Sequence, residues 1–124
     1  MISGRSLDAS ALVAFAAERS VCAAALVWTA AEENITLAVP STAIAAARSR
    51  LDDSHRPILD VLLHLPVTVV DTLDADRARR VELLGGTQLD AHAVACARER
   101  GWPLVTDDAD RYKVFGELEL EPLP

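Results

Sequence analysis

The chain has 124 residues and a mass of 13.3 kDa, a length that favours one domain spanning residues 1–124. Hydrophobic residues make up 51% of the sequence and only two cysteines are present, which excludes an intrinsically disordered chain and a disulfide scaffold. The formal net charge of −7 excludes a protein that coats DNA, although a local basic edge or bound metal ions could still admit one nucleic-acid strand.

Short β-like runs alternate with longer helical stretches, which predicts an α/β domain with a parallel sheet. In chain order we predict a weak strand ending near Leu7, helices Ser10–Ala17 and Val21–Glu33, a strand Ile35–Val39, helices Thr42–Leu51 and Pro57–His64, a strand Val67–Val70, helices Asp74–Leu84 and Leu89–Arg100, a strand Pro103–Thr106 and an edge strand Leu118–Leu120. Ser10 is the expected cap of the first helix, and Gly101 is expected to end the last one.

Neither the cysteines nor the N-terminal segment indicates export. Cys22 and Cys96 lie in Ala-rich, helix-like segments, so we expect both to be small buried apolar residues rather than a disulfide or a zinc-ligand pair. The segment 7–31 is apolar overall, but charged residues interrupt it before it reaches the roughly 18 apolar residues that a membrane span needs. We therefore expect a soluble cytoplasmic protein.

Acidic residues follow two of the predicted strands directly. Asp8 comes after the first strand, and Asp107 and Asp108 come after Thr106. Asp90 lies in the first turn of the preceding helix, from which its side chain points back toward the strand ends. In an open parallel sheet the functional crevice lies at the carboxyl ends of the strands, so we expect three carboxylates to meet there. The spacing from Thr106 favours Asp108 over Asp107.

Each of these acids also has a plain structural explanation, as a turn former, a helix cap or a first-turn residue favoured by the helix dipole. Together they indicate more, because clustered carboxylates repel one another unless a cation joins them. An all-oxygen ligand set is typical of Mg²⁺ or Mn²⁺. Such ions hydrolyse phosphodiesters by activating water and stabilising charge on the phosphoryl oxygens.

With these features in place, the sequence resembles a PIN domain, and more specifically the VapC-type toxin ribonucleases of bacterial toxin–antitoxin systems. The resemblance rests on an ordered set of segments over nearly the whole chain: Leu7-Asp8-Ala9-Ser10-Ala11-Leu12, Val39-Pro40, Leu89-Asp90-Ala91-His92, and Leu104 to Asp108 followed by Arg111-Tyr112. It implies a three-layer α/β/α sandwich with a central parallel sheet. It also implies a Mg²⁺- or Mn²⁺-dependent endoribonuclease, the toxin of a type II pair, which is inhibited by an antitoxin protein and frequently forms homodimers.

The resemblance also implies roles for particular residues. The catalytic, metal-binding acids would be Asp8, Asp90 and Asp108, with Ser10 as a nearby polar support and Asp110 as a further acid. One position departs from the family pattern. Members usually carry a Glu six residues beyond a proline like Pro40, and here that residue is Ala46. This departure implies weakened or single-metal activity.

Few basic residues are available to bind RNA. Arg48, Arg50 and Arg111 lie nearest the predicted crevice and are the candidate phosphate ligands. We interpret Arg98 and Arg100 as a solvated helix face. His92 has no partner pattern, and its position two residues after Asp90 turns it about 200° away around the helix.

Two alternatives stay open beside the metal-dependent ribonuclease. The first is a catalytically degenerate PIN scaffold that binds an antitoxin-like peptide or another protein, and Ala46 is its main support. The second is a receiver-like or haloacid-type phosphotransfer domain. It is disfavoured because Asp8-Ala9-Ser10 lacks the Asp-x-Asp pattern and no lysine lies near a strand end.

Overall fold

The computed structural model describes residues 3–124. Its strands are Gly4–Leu7 (β1), Thr36–Pro40 (β2), Thr68–Asp71 (β3), Leu104–Thr106 (β4) and Leu120–Pro122 (β5). Its helices are Ala9–Ala16 (α1), Val21–Glu33 (α2), Ser41–Arg50 (α3), Arg56–Leu63 (α4), Ala75–Glu82 (α5) and Gln88–Arg100 (α6), and a 3₁₀ helix covers Ala109–Phe115. Over this range the prediction of an α/β domain is confirmed, with most elements shifted by only one or two residues.

The strands form one parallel sheet in the order β3-β2-β1-β4-β5. The chain builds outward from β1 to β3 in one direction and continues on the other side of β1 with β4 and β5. The strand order therefore reverses between β1 and β4, and in folds of this kind a ligand crevice lies outside the carboxyl ends of the two strands at such a switch. Asp8 and Asp107 follow these two strands directly.

The sheet is flanked by helices whose apolar residues form separate clusters in the described part of the chain. The largest cluster joins α1, α3 and α4 to β1 and β2 and includes Leu12, Leu37 and Leu59, all fully buried. A second joins α6 to β4 and the 3₁₀ helix around Val94 and Tyr112. Helix α6 thus packs on the sheet directly beneath the switch point.

Two predicted boundaries need correction. The first helix is capped by Asp8 rather than Ser10, because the extended backbone of Asp8 lets its carboxylate reach the amide of Ala11. The last strand lies two residues later than predicted, at Leu120–Pro122, where it pairs in parallel with β4. In that register, Leu120 contributes to the apolar cluster around Tyr112.

The first strand forms although its residues have low β-propensity, and packing around Gly4 accounts for the glycine. A Cβ atom on Gly4 would lie 2.5 Å from Cδ2 and Cε2 of Trp102. The missing side chain therefore makes room for an indole ring against the start of β1. Packing, rather than β-propensity, selects the residue at this position.

Helix α2 corrects the expectation for one cysteine. Cys96 is buried as expected, and burial raises the pKa of its thiol to about 11. Cys22 is exposed, because the Ala-rich stretch that surrounds it presents most of its residues to solvent. Within residues 3–124 no single helix is long and apolar enough to cross a membrane, although α1 and α2, joined at a 95° bend, together meet that length and composition.

Candidate functional site

Asp8 lies at the carboxyl end of β1, and three protein donors hold its carboxylate. It is 3% exposed, and its Oδ1 accepts from the Ala11 amide at 2.9 Å and from the Ser10 hydroxyl at 2.6 Å. Its Oδ2 accepts from the Tyr112 hydroxyl at 2.6 Å. The role of Ser10 as a polar neighbour of Asp8 therefore has a geometric basis, and the carboxylate is fixed in one orientation.

Tyr112 connects the two buried acids of the site. Burial raises the pKa of Tyr112 above its usual range, and the charges of Asp8 and Asp90 raise it further. The ring packs against Phe115 with 6.2 Å between centroids. Tyr112 therefore stays a neutral donor near pH 7; it bonds to Asp8, and the adjacent Arg111 pairs with Asp90.

Asp90 lies in the first turn of α6 and faces a single cation. It is 8% exposed, and its amide donates to the capping Thr87 hydroxyl at 3.2 Å. Arg111 Nε lies 2.9 Å from Asp90 Oδ1, yet this oxygen is shielded from water and has no well-aligned hydrogen bond. Burial disfavours the charged form of Arg111, but the Asp90 carboxylate outweighs it and raises the pKa of Arg111.

Hydroxyl groups tie the end of β1 to the loop after β4. Ser10 Oγ accepts from the Asp107 amide and Thr106 Oγ1 accepts from the Asp108 amide, both at 3.0 Å. The two hydroxyl oxygens are 3.2 Å apart, and since the Ser10 proton is directed to Asp8, Thr106 donates to Ser10. This chain fixes the backbone of the acidic loop relative to Asp8.

The acids of that loop occupy different surroundings. Asp107 and Asp108 are both exposed, and the charge of Asp108 is one of those that raise the pKa of Arg111. Asp110 instead lies 3.1 Å from Lys113 Nζ, and both side chains are largely in solvent. All three acids of the loop are therefore exposed, in contrast to Asp8 and Asp90.

The donor chemistry at this end of the sheet fits a hard divalent cation. The acids offer only oxygen ligands, and Asp90 holds a buried carboxylate oxygen with incomplete hydrogen bonding. Among residues 3–124 no three acidic, His or Cys side chains already converge as a ready ligand cluster. The reason is visible in the contacts: Tyr112 engages Asp8, and Arg111 lies against Asp90.

A second buried polar cluster lies at the end of β3, and sequence reasoning missed it. Asp71 accepts from Arg77 through both carboxylate oxygens at 3.0 Å and from Arg100 at 2.6 Å. His92 Nε2 donates to Asp71 at 3.0 Å, and its Nδ1 lies 2.7 Å from the Thr42 hydroxyl. We call these five residues the Asp71 network. It ties β3, α3, α5 and α6 together.

The Asp71 network corrects two sequence interpretations. His92 does turn away from Asp90, but it is 0% exposed and has two partners. Arg100 is not part of a solvated face, since it binds Asp71. Arg98 is exposed, as predicted, and donates to the backbone carbonyls of Phe115 and Glu117. The sequence did contain a signal for this cluster: Asp71 comes directly after the β-branched run Val67–Val70, just as Asp8 comes directly after the first strand.

The charges around Asp71 determine its protonation. Burial alone would raise the pKa of Asp71. Hydrogen bonds from His92 and Arg100 and the charge of Arg77 outweigh burial and lower the pKa below its ordinary value. Asp71 therefore stays ionised in the fold with both carboxylate oxygens fully occupied, although Nη1 of Arg77 in the same network is buried without a hydrogen bond.

The remaining candidates lie on α3. Its N-terminal end reaches α6 through Thr42 and His92, whereas Arg48 near its C-terminal end donates to Asp60 on α4 at 2.6 Å. Arg50, in the same last turn, is exposed. The structure therefore does not place Arg48 beside the Asp8–Asp90 acids. Ala46 is half-buried and packs against the apolar core.

Comparison with known proteins identifies the fold. No protein-family model matches the chain, and no curated protein matches its sequence. The crystal structure of VapBC2 from Rickettsia felis, bound to a DNA fragment from their promoter, matches with a TM-score of 0.73 at 18% identity, over 98% of this chain and 99% of that one. PAE2754 from Pyrobaculum aerophilum matches with a TM-score of 0.58 at 22% identity, over 92% and 81%. The chain thus has a PIN-like α/β fold, which confirms the resemblance to PIN domains and VapC-type toxins at the level of the fold.

Proposed function

We propose that this protein is a Mg²⁺- or Mn²⁺-dependent endoribonuclease and the toxin of a VapC-type toxin–antitoxin pair. One observation carries the proposal: two buried carboxylates from distant parts of the chain, Asp8 at the end of β1 and Asp90 in α6, are held by adjacent residues of one segment, Tyr112 and Arg111. A fold alone does not define a function. Here the buried acids lie where ligands bind in open parallel sheets.

In this proposal the protein residues have distinct tasks. Asp90 and Asp8 hold the ion, and Asp108 adds an exposed carboxylate at the mouth of the site. When bound, the ion supplies an activated water and stabilises charge on the scissile phosphate. Ser10 and Tyr112 keep Asp8 oriented through their hydrogen bonds to its two oxygens. Asp110 has no place near the ion, because it pairs with Lys113 in solvent.

RNA contacts in this proposal centre on Arg111. It is the basic residue beside Asp90, and a guanidinium suits a phosphate because it presents several donors in one plane. Arg48 is engaged with Asp60 on α4. Arg48 and Arg50 therefore remain candidates for more remote contacts with a long RNA.

Cleavage of a mixed pool of structured RNA by the purified protein tests the activity. We expect cleavage with Mn²⁺ that disappears with EDTA and falls at least about 100-fold in Asp8→Asn and Asp90→Asn, since even outer partners of metal ligands contribute 10–100-fold. Asp53→Asn is the matched control, because this carboxylate is exposed and pairs with Arg56 away from the site. Equal activity in Asp90→Asn and Asp53→Asn would contradict the assignment.

A partner protein follows from the same proposal. The Rickettsia felis structure is of a VapBC complex on promoter DNA, and we propose that this chain likewise binds an antitoxin and forms a homodimer in the cytoplasm. Co-purification with the product of an adjacent open reading frame, followed by mass measurement in solution, tests both points. A monomer that retains no such partner would contradict them.

Ala46 supports a second candidate function. At this position the core receives a methyl group instead of a carboxylate, and three of the acceptor positions of Asp8 are already taken by protein donors. A degenerate PIN scaffold that only binds another protein has the same features. Folded wild-type protein without any Mn²⁺-dependent cleavage would favour this function.

A further inference from the structure

We propose that Arg111 acts as a built-in cation that holds Asp90 in the metal-free protein, and that a divalent ion binds by displacing it. This inference rests on the proposed metal-dependent function and concerns how the ion gains access. It predicts that the native arginine lowers metal affinity. The guanidinium is then released next to the site where an RNA phosphate would lie.

The contacts of Asp90 show why a cation is needed there. Asp90 is buried, and a buried charge without a partner is strongly unfavourable. Arg111 Nε at 2.9 Å is the one cation paired with it among the described residues. Their hydrogen-bond geometry is nevertheless poor, because Oδ1 has no well-aligned donor. The pair neutralises the charge and leaves the oxygen open to a better ligand.

Arg111 can leave while the rest of its segment stays in place. Its side chain is 32% exposed, three times as much as that of Asp90 at 11%, and it belongs to a short 3₁₀ helix whose backbone bond from Arg111 to Asp108 is 3.3 Å long. The neighbouring Tyr112 is anchored by its bond to Asp8 and by packing on Phe115. A rotation of the Arg111 side chain is therefore enough to open Asp90.

An exposed carboxylate precedes Arg111 in the same segment. The Arg111 amide donates to the Asp108 carbonyl at 3.3 Å, and Asp108 is exposed, so the displaced guanidinium has a second acid three residues away. In solvent, the exchange of one carboxylate partner for another changes the free energy little. Asp71 offers a contrast, since its carboxylate is held by two arginines and His92 and offers no oxygen to an added ion.

Mn²⁺ titration by calorimetry, without RNA, tests the proposal. We expect Arg111→Gln to bind Mn²⁺ about tenfold more tightly than the wild type, since a charge-assisted contact of this kind must otherwise be broken. Arg111→Lys, which keeps the charge and loses the planar donor group, should show a smaller gain of about threefold. Lys113→Gln is the matched control: it removes one positive charge from the same 3₁₀ helix, at a residue paired with Asp110. We expect its affinity to stay within about twofold of the wild type.

Thermal unfolding gives a second measurement that separates displacement from a general charge effect. Without metal, Arg111→Gln should melt below the wild type, because Asp90 loses its partner. With saturating Mn²⁺ the difference should disappear, since the ion replaces the arginine. Lys113→Gln should show neither change.

The outcomes distinguish this inference from the function on which it rests. An equal gain in Arg111→Gln and Lys113→Gln, or unchanged or weaker binding in both Arg111 variants, would overturn the inference; wild-type binding that Asp90→Asn abolishes would then still support the metal site. Absence of Asp90-dependent Mn²⁺ binding in every variant would overturn both.

Discussion

The Asp8–Asp90 site and the Asp71 network are built from similar parts and have different capacities. Asp8 and Asp71 both end a strand, and Asp90 and His92 lie two residues apart on α6. The Asp71 carboxylate is saturated by Arg77, Arg100 and His92, whereas Asp90 faces one arginine, about a third exposed, with imperfect geometry. The difference indicates that the number and burial of the counter-charges, rather than an acid at a strand end, separates a structural cluster from a site open to a ligand.

The largest expected effect on stability comes from breaking the Asp71 network. Asp71→Ala should lower the free energy of unfolding by about 3–5 kcal/mol, because it leaves buried cationic partners without their counter-charge. Urea unfolding at pH 7 measures the effect. Asp8→Asn should be milder, since the amide keeps an oxygen for the helix cap. A loss as large in Asp8→Asn as in Asp71→Ala would remove the distinction between the two clusters.

Acid should weaken the same network in a predictable direction. The pKa of Asp71 is lower in the fold than its ordinary value of 3.8, so its contribution to stability is complete above that value and is lost as pH falls through the lower pKa of the folded protein. The stability difference between wild type and Asp71→Asn should therefore shrink below pH 3.8. Unfolding at pH 7 and at pH 3 measures it, and a difference that grows in acid would contradict the assignment.

A change that touches neither cluster sharpens the comparison. Gly4→Ala places a Cβ atom 2.5 Å from the Trp102 ring and should lower stability by about 2 kcal/mol through overpacking. Mn²⁺ affinity at a temperature where the variant is folded should be unchanged. If affinity fell as well, general destabilisation rather than Asp90 would account for losses at the site.

The smallest expected effect is a gain. Ala46→Glu restores the acid that the PIN resemblance implies, and we expect Mn²⁺-dependent cleavage to rise about tenfold, within the range reported for single partners of metal ligands. Because Ala46 packs against the core, the fold of the variant must be checked by its melting temperature. Ala45→Glu, on the exposed neighbouring position, is the control. No gain in a folded Ala46→Glu protein would count against this alignment of α3.

Most of the fold followed from local signals. The strand predicted at Val67–Val70 is displaced by one residue, and the last helix ends at Gly101 as predicted. In the structure, Ser20 and Asp74 cap the helices predicted to begin at Val21 and Asp74. The wrong cap was predicted for α1 because two neighbouring residues could each cap this helix. Asp8 and Ser10 both could cap α1, and only the three-dimensional structure shows that the serine hydroxyl is directed to Asp8 and the β4 loop.

The candidate site was harder to anticipate because its partners are remote in sequence. The position of Asp8 at a strand end is a local feature, but its bond to Tyr112 spans 104 positions. The Asp90–Arg111 pair likewise joins α6 to the 3₁₀ helix across β4. No periodicity encodes such pairs, so the sequence predicted where acids gather and not which protein groups already neutralise them.

The most direct test compares RNA cleavage by Asp90→Asn and Asp71→Asn with Mn²⁺, at a temperature where both variants are folded. The contrast between the two clusters predicts that Asp90→Asn loses cleavage while keeping most of its stability, and that Asp71→Asn keeps cleavage while losing stability. Wild-type cleavage by Asp90→Asn, or loss of cleavage in folded Asp71→Asn alone, would contradict it.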